Sequence, residues 1–253
     1  MITQRKLRLA ALFAMVVLVF SVFTGLAAAR SKAGGLTIFA AASLTEAFKA
    51  LDPSQTYSFA GSNTLETQIK NGAPADIFAS AAPANTQRLF KAGLVDKPVT
   101  FTANRLALIT PKSNPAGINS VYDLKRKPVK LVIAAPAVPV GAYTLTVLKK
   151  MGLSSVLDKV VSRESDVKSV VGKVVLGQAD AGFVYVTDAR AVSGQVNVFR
   201  IPAWAQPRVR YEIAVVSKSS NKAAAQKWIK TLLSAKGQAV LRNAGFLPIP
   251  AAK

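Results

Sequence analysis

The 253-residue chain contains no histidine and no cysteine. Without these side chains there is no Ser-His-Asp triad, no cysteine nucleophile, no ordinary zinc site and no disulfide. A lipid attached to an N-terminal cysteine is excluded for the same reason. These two absences remove most of the side-chain chemistry on which hydrolytic enzymes and protein metal sites depend.

Nucleotide-binding motifs and paired acids are also absent from the chain. Neither the phosphate loop G-x-x-x-x-G-K-S/T nor G-x-G-x-x-G occurs in it. Asp and Glu together number only 12, and nearly all of them are isolated on predicted helices or loops. We therefore expect a protein that is not an enzyme. A secreted enzyme that uses isolated carboxylates or a tyrosine remains the alternative from another class.

Acidic residues are greatly outnumbered by the 33 Lys and Arg, so the formal net charge is +21. Subtracting the three charges of Arg5, Lys6 and Arg8 leaves 21 − 3 = +18. Such an excess attracts small anions and leaves a basic surface-binding protein as another alternative. The basic residues are scattered, however, and no aromatic residues alternate with them, so we expect no nucleic-acid partner.

The first 29 residues have the order of a secretory signal. Basic residues come first, an apolar run follows at 9–26, and three alanines at 27–29 supply small residues for cleavage. We therefore predict a signal peptide at 1–29 and a soluble protein in the periplasm or elsewhere outside the cytoplasm. The alternative is a retained N-terminal anchor, because the apolar run approaches the length of a membrane span.

A turn rich in small residues occurs twice, as AAASLT at 40–45 and as AGSNTL at 60–65. Each follows an apolar run that predicts a strand and precedes an amphipathic stretch that predicts a helix. Helix starts have free backbone N–H groups, and Ser or Thr side chains are common caps there. Two such turns in one domain indicate a shared oxyanion site.

Strands and helices alternate along the remaining chain, which predicts parallel sheets. Short strands are predicted at 36–39, 57–60 and 75–79, and again at 131–134, 160–161 and 181–185. The fold class is therefore α/β, with two lobes that each contain a mostly parallel sheet flanked by helices, and ligands bind beyond the carboxyl ends of such strands. We place the first lobe at 34–105 and 208–253 and the second lobe at 106–207.

Five motifs then carry a family resemblance: FAAASL at 39–44, GSNTL at 61–65, GAPADIFAS at 72–80, GFVYVTDA at 182–189 and GFLP at 245–248. Together, in this order, they resemble the molybdate-binding periplasmic proteins of ABC transporters. The resemblance implies a periplasmic-binding-protein fold of the second type, with the ligand cleft between the lobes. It also implies a monomer that delivers its oxyanion to a membrane permease driven by a cytoplasmic ATPase. Any contact with the membrane would come only through the permease or an uncleaved signal segment.

The same resemblance implies a set of ligand-binding residues. By this resemblance, Ser43 and Ser62 would each offer the ligand a hydroxyl and a backbone N–H. Val140 and Val167 would each offer a backbone N–H, and Tyr185 would offer its phenol. The family usually has alanine at the position of Val140. The implied ligand is molybdate or tungstate, whose metal is held only through its oxygens, and no cofactor is expected. Sulfate or another oxyanion is the alternative within the class.

Overall fold

The computed structural model describes residues 35–249. The predicted signal peptide at 1–29 lies outside the described residues, as do residues 34 and 250–253 of the predicted first lobe. Within 35–249, no helix is both long and apolar enough to span a membrane.

The first sheet has five strands in the order β2-β1-β3-β10-β4. They are β1 (Thr37–Ala41), β2 (Thr56–Ala60), β3 (Ile77–Ser80), β4 (Val99–Asn104) and β10 (Val209–Val215). Strand β1 pairs in parallel with β2 and β3, whereas β10 pairs antiparallel with β3 and β4. Four strands therefore run in one direction and β10 runs in the opposite direction. The helices of this lobe are α1 (Thr45–Leu51), α2 (Ser62–Lys70), α3 (Pro83–Lys91), α8 (Lys222–Leu233) and α9 (Ala235–Asn243).

The second sheet also has five strands, in the order β7-β6-β8-β5-β9. They are β5 (Leu106–Pro111), β6 (Leu131–Ala134), β7 (Val160–Glu164), β8 (Ala181–Tyr185) and β9 (Val196–Arg200). Strand β6 is parallel to β7 and β8, whereas β5 is antiparallel to β8 and β9. The helices are α4 (Asp123–Arg126), α5 (Pro139–Lys150), α6 (Val167–Val175) and α7 (Val186–Ala191).

These two sheets confirm the predicted α/β fold with two lobes. In each sheet, the one strand that runs against the others follows or precedes a crossing between lobes. The chain crosses from β4 to β5 at Arg105 and returns between β9 and β10. The exact lobe boundaries stay a prediction, which the membership of the strands in the two sheets supports.

Burial explains why the central strands are continuous apolar runs in the sequence. Every residue of β3, β5, β6 and β8 is buried, because helices cover both faces of each sheet. The edge strands β7 and β9 instead alternate between more and less exposed residues. Close helix packing also depends on Gly182, where a Cβ would lie 2.8 Å from Cγ1 of Val170. This packing fixes the position of α6 over β8.

Candidate functional site

A small cavity lies between the lobes, where the carboxyl ends of both sets of parallel strands meet. Its volume is only about 10 Å³, because protein atoms from both lobes lie close around it. One side is formed by the ends of β1 and β2 with the turns after them, and by Ala81. The other side is formed by the starts of α5 and α6 and the end of β8. All the residues singled out by the resemblance line this cavity: Ser43, Ser62, Val140, Val167 and Tyr185.

The two serines are buried at the starts of helices, as the repeated turn predicts. Ser43 lies in a short 3-10 turn directly before α1, and Ser62 is the first residue of α2. The Oγ of Ser62 accepts a hydrogen bond from the backbone N–H of Ala81 at 3.1 Å. Because that oxygen is an acceptor in this contact, the hydroxyl proton of Ser62 is available to donate into the cavity.

Val140 and Val167 present the starts of two further helices. Val140 is the second residue of α5, after Pro139, and Val167 is the first residue of α6. N–H groups in a first turn have no partner within their helix, so both can donate to a ligand. The carboxylate of Asp166 caps α6 by accepting from the N–H of Ser169 at 2.9 Å. Both valine side chains are themselves buried in the core, which is compatible with a donor role of their backbone.

Tyr185 ends β8 and is 1% exposed. Within residues 35–249 its buried hydroxyl oxygen has no hydrogen-bond partner. Burial is the main cause that raises the pKa of Tyr185 well above its usual value, and the neighbouring Tyr211 and Tyr143 add to the shift. The phenol therefore stays protonated, and an unused hydrogen-bond donor lies at the cavity.

Tyr211 is a part of the site that the sequence analysis did not find. Its hydroxyl oxygen lies 2.8 Å from Oγ of Ser43, and its ring packs edge-on against that of Tyr185 with centroids 5.8 Å apart. Nδ2 of Asn104 donates to the same hydroxyl at 3.4 Å. Tyr211 belongs to β10, which returns from the second lobe, so no local motif links it to Ser43. The contact depends on long-range strand pairing alone.

A charged contact also spans the two lobes beside the cavity. Nζ of Lys168, in α6, lies 2.8 and 2.9 Å from the carboxylate oxygens of Glu46 in α1, and 3.3 Å from Oδ1 of Asp188 in α7. The Lys168–Asp188 contact meets the distance of an ion pair but not hydrogen-bond geometry, since neither Asp188 oxygen has a hydrogen-bond partner within 35–249. Burial raises the pKa of Asp188 to about 6, although Lys168 opposes the shift.

The lobes also touch through their backbones at Gly61. A Cβ at this position would lie 2.4 Å from the carbonyl oxygen of Ser165, which precedes α6. No side chain fits there while the lobes remain in this arrangement. This contact and the Lys168–Glu46 pair show that the two lobes are in contact beside the cavity in this structure.

Solute-binding proteins have this architecture, in which two α/β lobes close over a small cavity lined by helix starts. Comparison with protein families agrees, because the family model of the bacterial extracellular solute-binding proteins matches residues 36–247. The chain belongs to this family.

Individual relatives are more specific. The molybdate-binding protein ModA of Mycobacterium tuberculosis is 38% identical over 224 residues, which are 85% of this chain and 85% of the relative. The substrate-binding domain of a putative molybdenum ABC transporter from Clostridium difficile is 30% identical, with a TM-score of 0.62 over 85% of this chain and 99% of that one. The periplasmic molybdate-binding protein of Azotobacter vinelandii is 20% identical and shares the fold, with a TM-score of 0.76 over 85% of this chain and 100% of that one. These comparisons confirm the resemblance that the sequence motifs indicate.

Proposed function

We propose that this chain is the extracytoplasmic binding protein of an ABC importer and that it captures molybdate or tungstate in the cavity between its lobes. One observation carries the proposal: the hydroxyl of Tyr185 is buried without a hydrogen-bond partner among the described residues, at a cavity that is also lined by two serines and four helix starts. A buried donor of this kind costs free energy unless a ligand accepts from it. We infer the identity of the ligand from the relatives, which include molybdate-binding proteins.

Seven donors converge on the cavity in this proposal. Ser43 and Ser62 each contribute a hydroxyl and an N–H, and Val140, Val167 and Tyr185 contribute one donor each. A hydrogen bond to a charged group contributes about 1.5–3 kcal/mol, so together they gross well over about 10 kcal/mol. Micromolar binding needs about 8 kcal/mol. Neutral donors therefore suffice, even after the costs of desolvating the anion and closing the lobes.

A shell of donors also selects among anions by their protonation. Hydrogen phosphate retains a proton that needs an acceptor. The carboxylate of Asp166 also lines the cavity, where it accepts hydrogen bonds from Ser169 as the cap of α6. A shell of seven donors favours fully deprotonated tetrahedral dianions, because every oxygen of such an anion is an acceptor. No cofactor is needed, and the metal of molybdate would contact the protein only through its oxygens.

Closure of the lobes is the step that transport would use. The serines lie on the first lobe and the other donors on the second, so an open molecule offers only part of the shell. The anion therefore binds the closed state better by the bonds that the open state lacks, and binding shifts the population towards closure. A membrane permease with its ATPase would then recognise the closed monomer.

Secretion belongs to the same proposal. Family membership supports a location outside the cytoplasm, and we propose that the signal peptide at 1–29 directs the chain there. N-terminal sequencing of the exported protein would give Arg30 as the first residue if cleavage follows Ala29. A first residue of Met1 would instead identify a retained anchor.

Calorimetric titration with molybdate tests the binding proposal. We expect one site per chain, with tungstate competing, and strongly reduced affinity in the Ser43→Ala, Tyr185→Phe double variant. Sulfate competing as well as tungstate would assign the protein to the broader oxyanion class. No heat with either molybdate or tungstate would refute the proposal, and turnover of phosphate or sulfate esters would then favour the enzyme alternative.

A further inference from the structure

A second and larger cavity lies beside the two crossings between the lobes, and we call it the hinge cavity. Its volume is about 1030 Å³. It is lined by residues 104–107 at the first crossing and by residues of 200–206 at the second, together with residues of α7 and the C-terminal positions 245 and 247. It shares no lining residue with the oxyanion cavity. The proposed oxyanion shell therefore does not explain it.

Three arginines line the hinge cavity: Arg105, Arg190 and Arg200. No carboxylate side chain lines it, and within residues 35–249 none of the three guanidinium groups takes part in an ion pair or a side-chain hydrogen bond. The side chain of Arg190 packs over Gly245, where a Cβ would lie 3.2 Å from its Cδ. Guanidinium groups bind carboxylates, sulfonates and phosphates through paired hydrogen bonds, so three of them at one cavity favour an anion.

The remaining walls of the hinge cavity are largely apolar. Val186 and Val198 are 36% and 45% exposed, and Leu106 and Ile201 lie beside them in the lining. A cavity of this size with apolar walls and a few charged groups has the composition of a small-molecule site. A bare inorganic ion would leave these walls in contact with water. The complementary ligand has an anionic head and an apolar body.

We propose that the hinge cavity binds an organic anion, with a carboxylate, sulfonate or phosphate head held by Arg105, Arg190 and Arg200 and an apolar body against Val186 and Val198. The site is independent of the proposed capture of molybdate. Its test therefore needs no molybdate or tungstate in the experiment, and either proposal can fail without the other.

Fluorescence titration of the purified protein with 8-anilinonaphthalene-1-sulfonate tests the site, because this dye joins an anionic head to an aromatic body and brightens in apolar surroundings. We expect saturable binding at one site, and roughly tenfold or greater weakening in the Arg190→Gln, Arg200→Gln double variant. The matched control is Arg163→Gln, at an exposed position of β7 on the opposite edge of the second sheet, where dye affinity should not change. Thermal unfolding of each variant checks that the fold is retained.

Two further arms separate an organic-anion site from simpler explanations. N-phenyl-1-naphthylamine has the same aromatic body without the sulfonate, so we expect it to bind at least about tenfold more weakly. Decanoate should displace the dye, whereas sulfate at equal ionic strength should not. Equal binding of the uncharged dye, displacement by sulfate, or unchanged affinity in the double variant would each overturn the proposal.

Discussion

At the scale of single residues, the site depends on buried donors that the protein itself does not satisfy. The hydroxyl of Tyr185 is the clearest case, because it is buried at the cavity and has no partner among the described residues. Ser43 and Ser62 differ from it, since Tyr211 and the N–H of Ala81 hold their oxygens. The Tyr185 hydroxyl is therefore free to donate to a ligand, whereas the two serine hydroxyls are already oriented by the protein.

Replacing Tyr185 with Phe should lower molybdate affinity by about 10- to 100-fold, the value of one hydrogen bond to a charged group. Unliganded stability should stay unchanged or rise, because the substitution removes an unsatisfied buried donor. The control is Tyr57→Phe, which loses hydrogen bonds to the carbonyl oxygens of Phe48 and Asp52. That variant should lose stability and keep its affinity. Calorimetry and urea unfolding measure both quantities, and loss of stability without loss of affinity in Tyr185→Phe would contradict the assignment.

Gly61 carries a second prediction at this scale. In Gly61→Ala the new methyl group would meet the carbonyl oxygen of Ser165 across the cleft, so the lobes could not close fully. We expect molybdate affinity to fall by at least about tenfold, since even one lost hydrogen bond to the anion has that effect. Gly194→Ala is the matched control, because a Cβ there has no neighbour within 4 Å among the described residues. Equal affinities of the two variants would show that this contact does not limit closure.

At the scale of elements, helix starts place the donors, while Lys168 joins three helices beside them. Its ammonium connects α1 of the first lobe with α6, on which it lies, and with Asp188 of α7. The first contact crosses the cleft and the second stays within the second lobe. The buried Asp188 therefore has its charge balanced by a lysine that it shares with Glu46.

Asp188 makes the stability depend on pH. Burial raises its pKa in the folded protein from 3.8 to about 6, so the folded state binds this proton more tightly than the unfolded state. The protonated form is therefore the stabilising one: its contribution is fully present below the unfolded pKa and is lost as the pH rises through the folded pKa. The free energy of unfolding therefore falls by on the order of 3 kcal/mol as the pH rises from the unfolded pKa of 3.8 to the folded pKa of about 6.

Asp188→Asn should remove this fall, and urea unfolding at a series of pH values measures it. Glu66→Gln supplies a contrast of opposite sign. Burial alone raises the pKa of Glu66, but hydrogen bonds from Arg88, Lys70 and Asn85 outweigh it and lower the pKa to about 2. That variant should therefore lose stability at neutral pH and differ less from the parent as the pH falls. An unchanged fall in Asp188→Asn would assign the pH dependence to other groups.

Local patterns were enough to predict most of these elements. The strands at 131–134 and 181–185 match the structure at both ends, and both serine turns precede helices as predicted. The apolar stretch at 101–110 holds two strands, β4 and β5, which lie in different sheets on either side of Arg105, where the predicted boundary between the lobes also falls. The contacts of Tyr211 with Ser43 and of Lys168 with Glu46 join residues more than a hundred positions apart, and hydrophobic periodicity holds no information about such pairs.

At the scale of the whole molecule, two lobes joined by two crossings form a hinged pair. The contacts of Gly61 with Ser165 and of Glu46 with Lys168 exist only while the lobes are together. The high net charge of +21 in the full chain acts over longer distances, because it raises the local concentration of anions. Closure and attraction are thus properties of the molecule as a whole.

Small-angle X-ray scattering with and without molybdate tests closure. We expect the radius of gyration to decrease on adding molybdate, and the liganded curve to match the structure described above. The Ser43→Ala, Tyr185→Phe variant should show no decrease at the same molybdate concentration. Identical curves for the parent protein at saturating ligand would show that binding and closure are not coupled.

Neutral donors between the lobes are proposed to hold the oxyanion. A crystal structure of the protein grown with molybdate, with anomalous diffraction to locate molybdenum, would show whether they do. We expect one molybdenum peak in the cavity, with the molybdate oxygens hydrogen-bonded to Ser43, Ser62, Tyr185 and the N–H groups of Val140 and Val167. A peak among the arginines of the hinge cavity or at a surface lysine, with none between the lobes, would contradict the proposal.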